Sequence, residues 1–435
     1  MSNREKSART SMIGLVLAMV GAGGAGFGAA VLSGVATSFS QPLATLLAGA
    51  GALGAGTLAY LNGQHSRDLE EAHHQADAAR ERERHLADSR RTREFALRDR
   101  YAAVAAQIAH GSAAIRQAAV YTLTALADDW HAFGDDDERQ VCVDLLQWYL
   151  RVPISDDAQH DLSEREIRQT IASILTQRRL RVRDDPKSWA TTSLHLSQAS
   201  LPKCDLRSFD FSGLRLLHAD LVGAKLTGAN FSHTKLHHAN LTAAILTRSN
   251  LSNANLSYAI VDHANFHHAN LSGATLQMAS LRHANLKRAR LADANLASAN
   301  LTETILRSAT LTRANLNLAD LTTAILPNAD LTDAKFRNAQ LIHAELTGAV
   351  LVRANLVRAN LTGANLAGAK LVDADLTDTT LLDANLAGAD LSGALMRGAD
   401  LRRARLDGVC VDRVEIDGAT RWPDGFDAPP IPDGE

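Results

Sequence analysis

The sequence predicts an all-β solenoid in its C-terminal half, preceded by an α-helical domain and two transmembrane helices. Three observations predict it. Leucine, or a close apolar stand-in, recurs at every fifth residue from 196 to 406 without a slip of register. Apolar residues at helical spacing fill 101–183, where the five-residue period is absent. No charged residue stands between Thr10 and Gln64.

A period of five suits neither regular element. On an α-helix each step of five advances the side chain by about 140°, so the leucines would spiral over every face. On a straight strand an odd period sends alternate leucines to opposite faces. The pattern closes only where the chain turns a corner once per unit. The unit is A-(D/N)-L-x-x, as in Ala294-Asn295-Leu296-Ala297-Ser298 and Ala389-Asp390-Leu391-Ser392-Gly393. Ala and Leu, two residues apart, then point inward, and the next two residues make the turn. Four sides close a square coil of about 20 residues, and stacked coils pair as parallel strands about 4.8 Å apart. Exceptions at the Ala position are mostly small: Thr234, Ser249, Thr304 and Thr379. Bulky ones (Leu194, Phe209, Leu214) gather at the start, where an end coil need not obey the rule.

On these units, residues 196–406 resemble the pentapeptide-repeat family. The resemblance implies a right-handed quadrilateral β-helix. The segment around Ile115-Arg116, Ala119-Val120-Tyr121, Trp130, Tyr149-Leu150-Arg151 and Glu166-Ile167-Arg168 is similar to the helical stretch that precedes the repeats in actinobacterial-type members. No catalytic role is known for that stretch, so the resemblance implies an interaction protein without enzymatic activity. Some members resemble duplex DNA and shield DNA gyrase from inhibitors, which makes target protection the alternative expectation.

Six segments are expected. Residues 1–10 form an N-terminal tail and 11–62 a transmembrane hairpin, built from apolar runs at 12–36 and 43–61. Each run is long enough for a spanning helix of about 20 residues. Arg4, Lys6 and Arg9 before the runs and Arg67 after them place both ends in the cytoplasm by the positive-inside rule, with the protein at the cell membrane. Gly24-x-x-x-Gly28 would let the two helices approach closely. The run Gly21-Ala22-Gly23-Gly24-Ala25-Gly26 fits a dinucleotide fingerprint, but no acidic residue follows until Asp68, so no cofactor is expected. A cleaved signal peptide ending near Ala36 fits poorly with a second apolar run directly afterwards.

Residues 63–100 read as a charged, solvated helix with pairs such as Glu94 and Arg98 four apart. Residues 101–185 read as a compact domain of four helices. The first carries Tyr101, Val104 and Ile108, and the second Ile115, Val120, Leu123 and Leu126. The third opens at the acidic run from Asp135, and the fourth at Ser163 with Glu166 in a capping box. Its last helix is expected to cover the first coil. The repeats occupy 186–420, and 421–435 forms a cap and tail in which Trp422 and Phe426 close the last coil.

Composition narrows the function. The formal net charge is −3, and the repeats carry about as many Lys and Arg as Asp and Glu, so no nucleic-acid partner is expected. Cys142, Cys204 and Cys410 are scattered and give neither a disulfide framework nor a metal spacing. The standard nucleotide-binding, hydrolase and metalloprotease motifs are absent, so no catalytic, cofactor or metal residues are expected.

Residues 20 apart stack on successive coils, so the outer surface reads as columns. One column runs Asp293, Arg313, Asp333, Arg353, Asp373, a ladder of alternating sign that holds register. Another runs Arg248, His268, Arg288, beside His263, His267 and His283. That basic and His-rich patch is the candidate interaction surface, suited to an acidic partner, an anionic lipid or a phosphate. The expected partners are the membrane and a protein the sequence does not identify; nothing in the sequence supports a homo-oligomer.

Overall fold

The computed structural model describes residues 41–154, 162–182, 185 and 187–430, with side chains from residue 51. The chain divides into two compact units, Met1–Arg93 and Glu94–Glu435. In the first, helix α1 (Gln41–Ile108) exposes every side chain from Gly51 to Arg93, with surface pairs such as Arg80–Asp77 at 3.3 Å.

The expected membrane hairpin and its membrane localisation are overturned. No helix among the described residues is long and apolar enough to cross a membrane. The reason lies in where the helix goes. Helix α1, which carries the second apolar run, does not end after it but runs on unbroken into Arg67, Asp68 and Glu70. The run at 12–36, its glycines and the flanking Arg4, Lys6 and Arg9 lie outside the described residues.

The second unit opens with the last turns of α1, which bury Leu97, Val104 and Ile108. The segment from Tyr101 to Ile108 is therefore the end of a long helix, with no break at residue 100. Three shorter helices follow: α2 (Ala113–Phe133), α3 (Asp136–Arg151) and α4 (Leu162–Arg179). Gly134 ends α2 at φ +88, a left-handed conformation that glycine adopts without steric cost. Asp135 caps α3, its side chain accepting the Glu138 N–H at 3.1 Å. Trp130, Leu123, Leu146, Leu150, Ile171 and Leu175 close the core between the helices. Arg98 to Glu138 (3.0 Å) and Arg100 to Asp129 (2.7 Å) tie α1 to it.

Beyond His195 the chain winds as a parallel β-helix. Every fifth residue from His195 to Leu395 bridges the residue 20 further on, so four five-residue sides make one coil. The 20-residue spacing persists to Glu415, past the end of the leucine register at 406 and within the expected bound of 420. The last bridge, Asp400 to Arg421, spans 21 residues. One unit shows how the motif builds a side. Leu241 and Ala244 are fully buried, and the Ala244 N–H donates to Leu241 O at 3.0 Å across the turn. The third turn residue, Ala243, has φ +57, so the turn is of type II. Leu241 N–H reaches Ile260 O (2.7 Å), Ala243 N–H reaches Asp262 O (2.9 Å), and Asn240 N–H reaches Ala219 O (2.9 Å). The remaining donor, Thr242 N–H, goes to Asn240 Oδ1 at 3.0 Å.

All five backbone donors of the unit are thereby satisfied, and the fifth requires a side-chain acceptor two residues back. This explains the Asn or Asp of the motif. Their side chains also join coils: Asn270 Nδ2 donates to Asn250 Oδ1, and Asn250 Nδ2 to Asn230 Oδ1, both at 3.2 Å. Inside, Phe211 and Phe231 stack at 5.0 Å. Thr234, Thr304 and Thr379 bury hydroxyls at the Ala position by donating to carbonyls of the preceding coil (Phe211, Leu281, Leu356), and Ser249 donates to Leu246 O.

Both ends are closed. At the first coil, α3 and α4 cover the open backbone edge. Gln147 Oε1 accepts from His195 N–H (2.6 Å), Gln140 Oε1 from Ser193 N–H (2.8 Å), and Leu150 O from Ser200 N–H (2.7 Å). Arg168 donates to Ser200 O at 2.8 Å. At the other end Trp422 stacks on Phe426 at 5.0 Å and packs against the core. Asp417 Oδ1 accepts the Gly398 N–H at 2.9 Å.

Ala294 is 1 % exposed, whereas Ser298 faces solvent. Ala294→Leu should destabilise the fold by about 1–3 kcal/mol through overpacking, and Ser298→Leu by much less. Equal shifts in thermal unfolding would contradict the inward assignment. Asn250→Ala removes the acceptor of the Ser252 N–H (3.2 Å) and two inter-coil bonds. It should cost about 1 kcal/mol or more in urea unfolding, whereas an unchanged midpoint would remove the capping role.

Candidate interaction surface

Arg248, His268 and Arg288 occupy the same turn position on three successive coils, at φ 58, 60 and 57. His263 and His283 occupy the matching position of the neighbouring side, with parallel rings 4.8 Å apart. His283 Nδ1 lies 3.1 Å from Glu303 Oε2. His267 lies against His268, ring centroids 4.3 Å apart. Desolvation first, and then the charges of His268, Lys287, Arg288 and Arg248, hold the His267 pKa below the ordinary histidine value. The sequence-selected residues therefore form one surface, on two adjacent corners of the solenoid.

The ladder column behaves differently. Arg313 donates through Nε and Nη2 to both carboxylate oxygens of Asp293, each at 2.7 Å. Arg353 does the same to Asp333, at 2.7 and 2.8 Å. The column is thus a series of bidentate pairs, with Asp373 beyond them and, among the described residues, no side-chain hydrogen bond to its carboxylate. These arginines hold Asp293 and Asp333 below the usual carboxylate range, chiefly by hydrogen bonding. Arg358–Asp378 and Arg403–Asp383 repeat the arrangement on other columns.

Between residues 215 and 307 the picture reverses. Among the described residues no Lys ammonium or Arg guanidinium of that stretch has a carboxylate within 4 Å. Residues 200–290 hold ten Lys and Arg against four Asp, whereas 291–420 hold twelve against sixteen Asp and Glu. The near-neutral total hides a basic half followed by an acidic one.

Charge columns alone miss two features. His218, His238 and Tyr258 stack at 4.9 and 5.0 Å with rings nearly parallel, and half-exposed Met278 follows. Their spacing of 20 was open to the same reading, applied to rings. Next to them His237 is partly buried, its Nδ1 without a hydrogen-bond partner. Burial, then His238, Lys235 and His218, lowers its pKa.

The second feature is a cavity of about 340 Å³ in the helical domain, walled by Ile108, Trp148, Val152 and Ile154. At its floor Arg116 donates to Tyr149 Oη (3.0 Å) and Glu164 Oε2 (3.0 Å), and Arg168 to Glu164 Oε1 (2.7 Å). Burial beside Glu164 pushes the Tyr149 phenol up to about 12. The polar groups of that floor are spent on one another. Burial likewise pushes the Cys142 and Cys204 thiols up to about 12, which makes them poor nucleophiles. Among the described residues no group of three or more His, Cys, Asp or Glu could hold a metal ion.

A parallel β-helix of five-residue sides, closed at both ends and carrying paired charges on one half, defines a solenoid repeat protein. The pentapeptide-repeat profile matches eight copies, at 194–228, 210–248, 224–257, 249–288, 289–326, 314–351, 339–378 and 381–418. The chain belongs to the pentapeptide-repeat family, whose β-helix is right-handed. It is similar to HetL of Nostoc sp. strain PCC 7120, a protein involved in heterocyst differentiation regulation. The identity is 39 % over 51 % of this chain and 92 % of that one, with a TM-score of 0.21. A pentapeptide repeat protein of the Arabidopsis thaliana thylakoid lumen is 34 % identical over 24 % of this chain and 68 % of its own, with a TM-score of 0.19. QnrB1, a plasmid-mediated fluoroquinolone resistance protein, is 18 % identical over 51 % and 94 %, with a TM-score of 0.18. No curated protein matches the chain.

Arg313→Glu combined with Arg353→Glu should lower the melting temperature at low salt, with the deficit shrinking as salt rises. An unchanged melting temperature at low salt would remove the ladder from the stability of the rod. Because the folded pKa values of Asp293 and Asp333 are depressed, their contribution is complete above the unfolded value of about 3.9. It is lost as pH falls through the folded values, so wild type and variant should converge below about pH 4.

Proposed function

We propose that this protein is a non-enzymatic interaction scaffold that presents its solenoid surface to a protein partner. The observation that carries this reading is the division of its cations. Seven of the ten arginines at 291–420, among them Arg313, Arg353, Arg358 and Arg403, are engaged by carboxylates, while among the described residues the side chains of Arg248, Arg282, Lys287 and Arg288, held on ordered turns, have no carboxylate within 4 Å. Charges fixed on a rigid backbone and left uncompensated suit recognition, because little side-chain or loop order remains to be gained on binding. The fold contributes rigidity, since Leu and Ala fill its interior and each side satisfies its own backbone. The helical domain contributes closure of the first coil, and its polar network supports no catalytic role.

Gyrase protection by DNA mimicry is the weaker reading. A mimic of duplex DNA needs a continuous negative surface, and residues 200–290 carry a net excess of six cations.

Covalent cross-linking of the full chain in its native cell, followed by purification, should yield a protein partner in stoichiometric amount. Charge reversal at Arg248 and Arg288 should reduce that yield, whereas reversal at Arg313 and Arg353 should not. Absence of any stoichiometric partner would overturn the scaffold reading. In a parallel supercoiling assay the full chain should neither inhibit gyrase nor rescue it from a quinolone; either effect would put target protection first.

A further inference from the structure

The patch has a shape as well as a sign. Between its two corners runs one column of strand residues: Ile245, Asn265, Asn285 and Ile305. Ile245 is 39 % exposed and Ile305 half-buried, so apolar groups flank the two asparagines in a column that continues to Lys225 and Ile325. Asn265 and Asn285 use Oδ1 to accept the His267 and Lys287 N–H groups, each at 3.1 Å. Their Nδ2 donors have no partner among the described residues. Histidines and arginines rim this strip, with His263 and His283 on one corner and Arg248, His268 and Arg288 on the other.

Four coils at about 4.8 Å make the strip about 14 Å long. From Ser308 the arginine corner turns neutral, with Asn328, Gly348, Gly368 and Gly388 at the same turn position.

We propose that this strip binds a short extended acidic segment of a protein partner. Four or five residues would span about 14 Å at about 3.3 Å per residue. Carboxylates would meet the rim cations, backbone carbonyls the free Asn donors, and an apolar side chain Ile245 or Ile305. The proposal rests on the scaffold reading and names the partner chemistry of its surface. A nucleic-acid strand fits less well, because it has no aliphatic side chain for the isoleucines and the arginine corner turns neutral at Ser308, after three coils. An anionic bilayer would require a broader basic face than one bounded by Asp262 and Glu303.

The test is fluorescence anisotropy of the full chain with a fluorescein-labelled peptide of about ten residues, rich in Glu and Asp and carrying two Leu. Saturable binding is expected. Arg248→Ala combined with Arg288→Ala should weaken it about tenfold, and Arg313→Ala combined with Arg353→Ala less than about twofold. Alanine is tolerated at this turn position, since Ala243 holds it at φ +57. Should the first pair nonetheless perturb folding, Lys287→Ala combined with Arg282→Ala provides a second weakening of the same rim.

Competition with single-stranded DNA of equal charge and with phosphatidylserine vesicles separates the remaining occupants. If either displaces the peptide at lower concentration than unlabelled peptide does, the peptide assignment is overturned in favour of that occupant. Binding that is absent, or indifferent to both rim variants, also overturns it. Neither result touches the scaffold reading, which falls only if cross-linking yields no partner.

Discussion

Closing a side every five residues forces the third residue of each turn into a left-handed conformation, and the rest of the molecule is arranged around that demand. Such a φ is unfavourable for most residues. It is held here by the turn hydrogen bond, by a bond to the next coil and by burial of the flanking Leu and Ala. At Gly363, Gly393 and Gly398 a side chain from the coil below crowds the space a Cβ would occupy, which explains glycine there. At Arg248 and His268 the same position is open, and the strained backbone carries a long side chain outward. The geometry that makes the coil therefore also selects the residues available for recognition.

The two halves of the solenoid use that freedom differently. Toward the C-terminus, turn positions carry arginine and aspartate on successive coils, and bidentate pairs lock neighbouring rungs. Toward the N-terminus, histidines stack with histidines and with Tyr258, and the cations face solvent alone. Stacked rings satisfy neighbouring coils without consuming charge. The basic half thus stays ordered while leaving its field uncancelled, a division that the formal charge of −3 conceals.

The period of five made the inward Ala and the coil length legible in the sequence, and the resulting spacing of 20 made the alternating charge column legible, though not its division into bidentate pairs. The role of Asn and Asp was hidden, since their acceptor duty toward the N–H two residues on depends on turn geometry. That the last helix covers the first coil was expected, but the contacts that seal it were hidden. Gln140 and Gln147 meet Ser193 and His195 across about fifty residues of chain, and no local pattern encodes that meeting. Composition misled at the N-terminus. An apolar window resembles a spanning helix, but α1 runs on through residue 62 into charged sequence. The candidate surface was visible as a basic column, whereas the strip of Ile and Asn between its corners emerged only with the fold.

The bridge from Asp400 to Arg421 departs from every earlier one by a single residue. A solenoid is a template whose last turn displays the backbone groups that another turn of equal pitch would need. The extra residue dislocates that thread just before Trp422 and Phe426 cover it. An identical rod arriving end-on would meet a shifted thread in place of a matching pitch. The defect in periodicity breaks the thread that end-on growth of a self-complementary screw would have to follow.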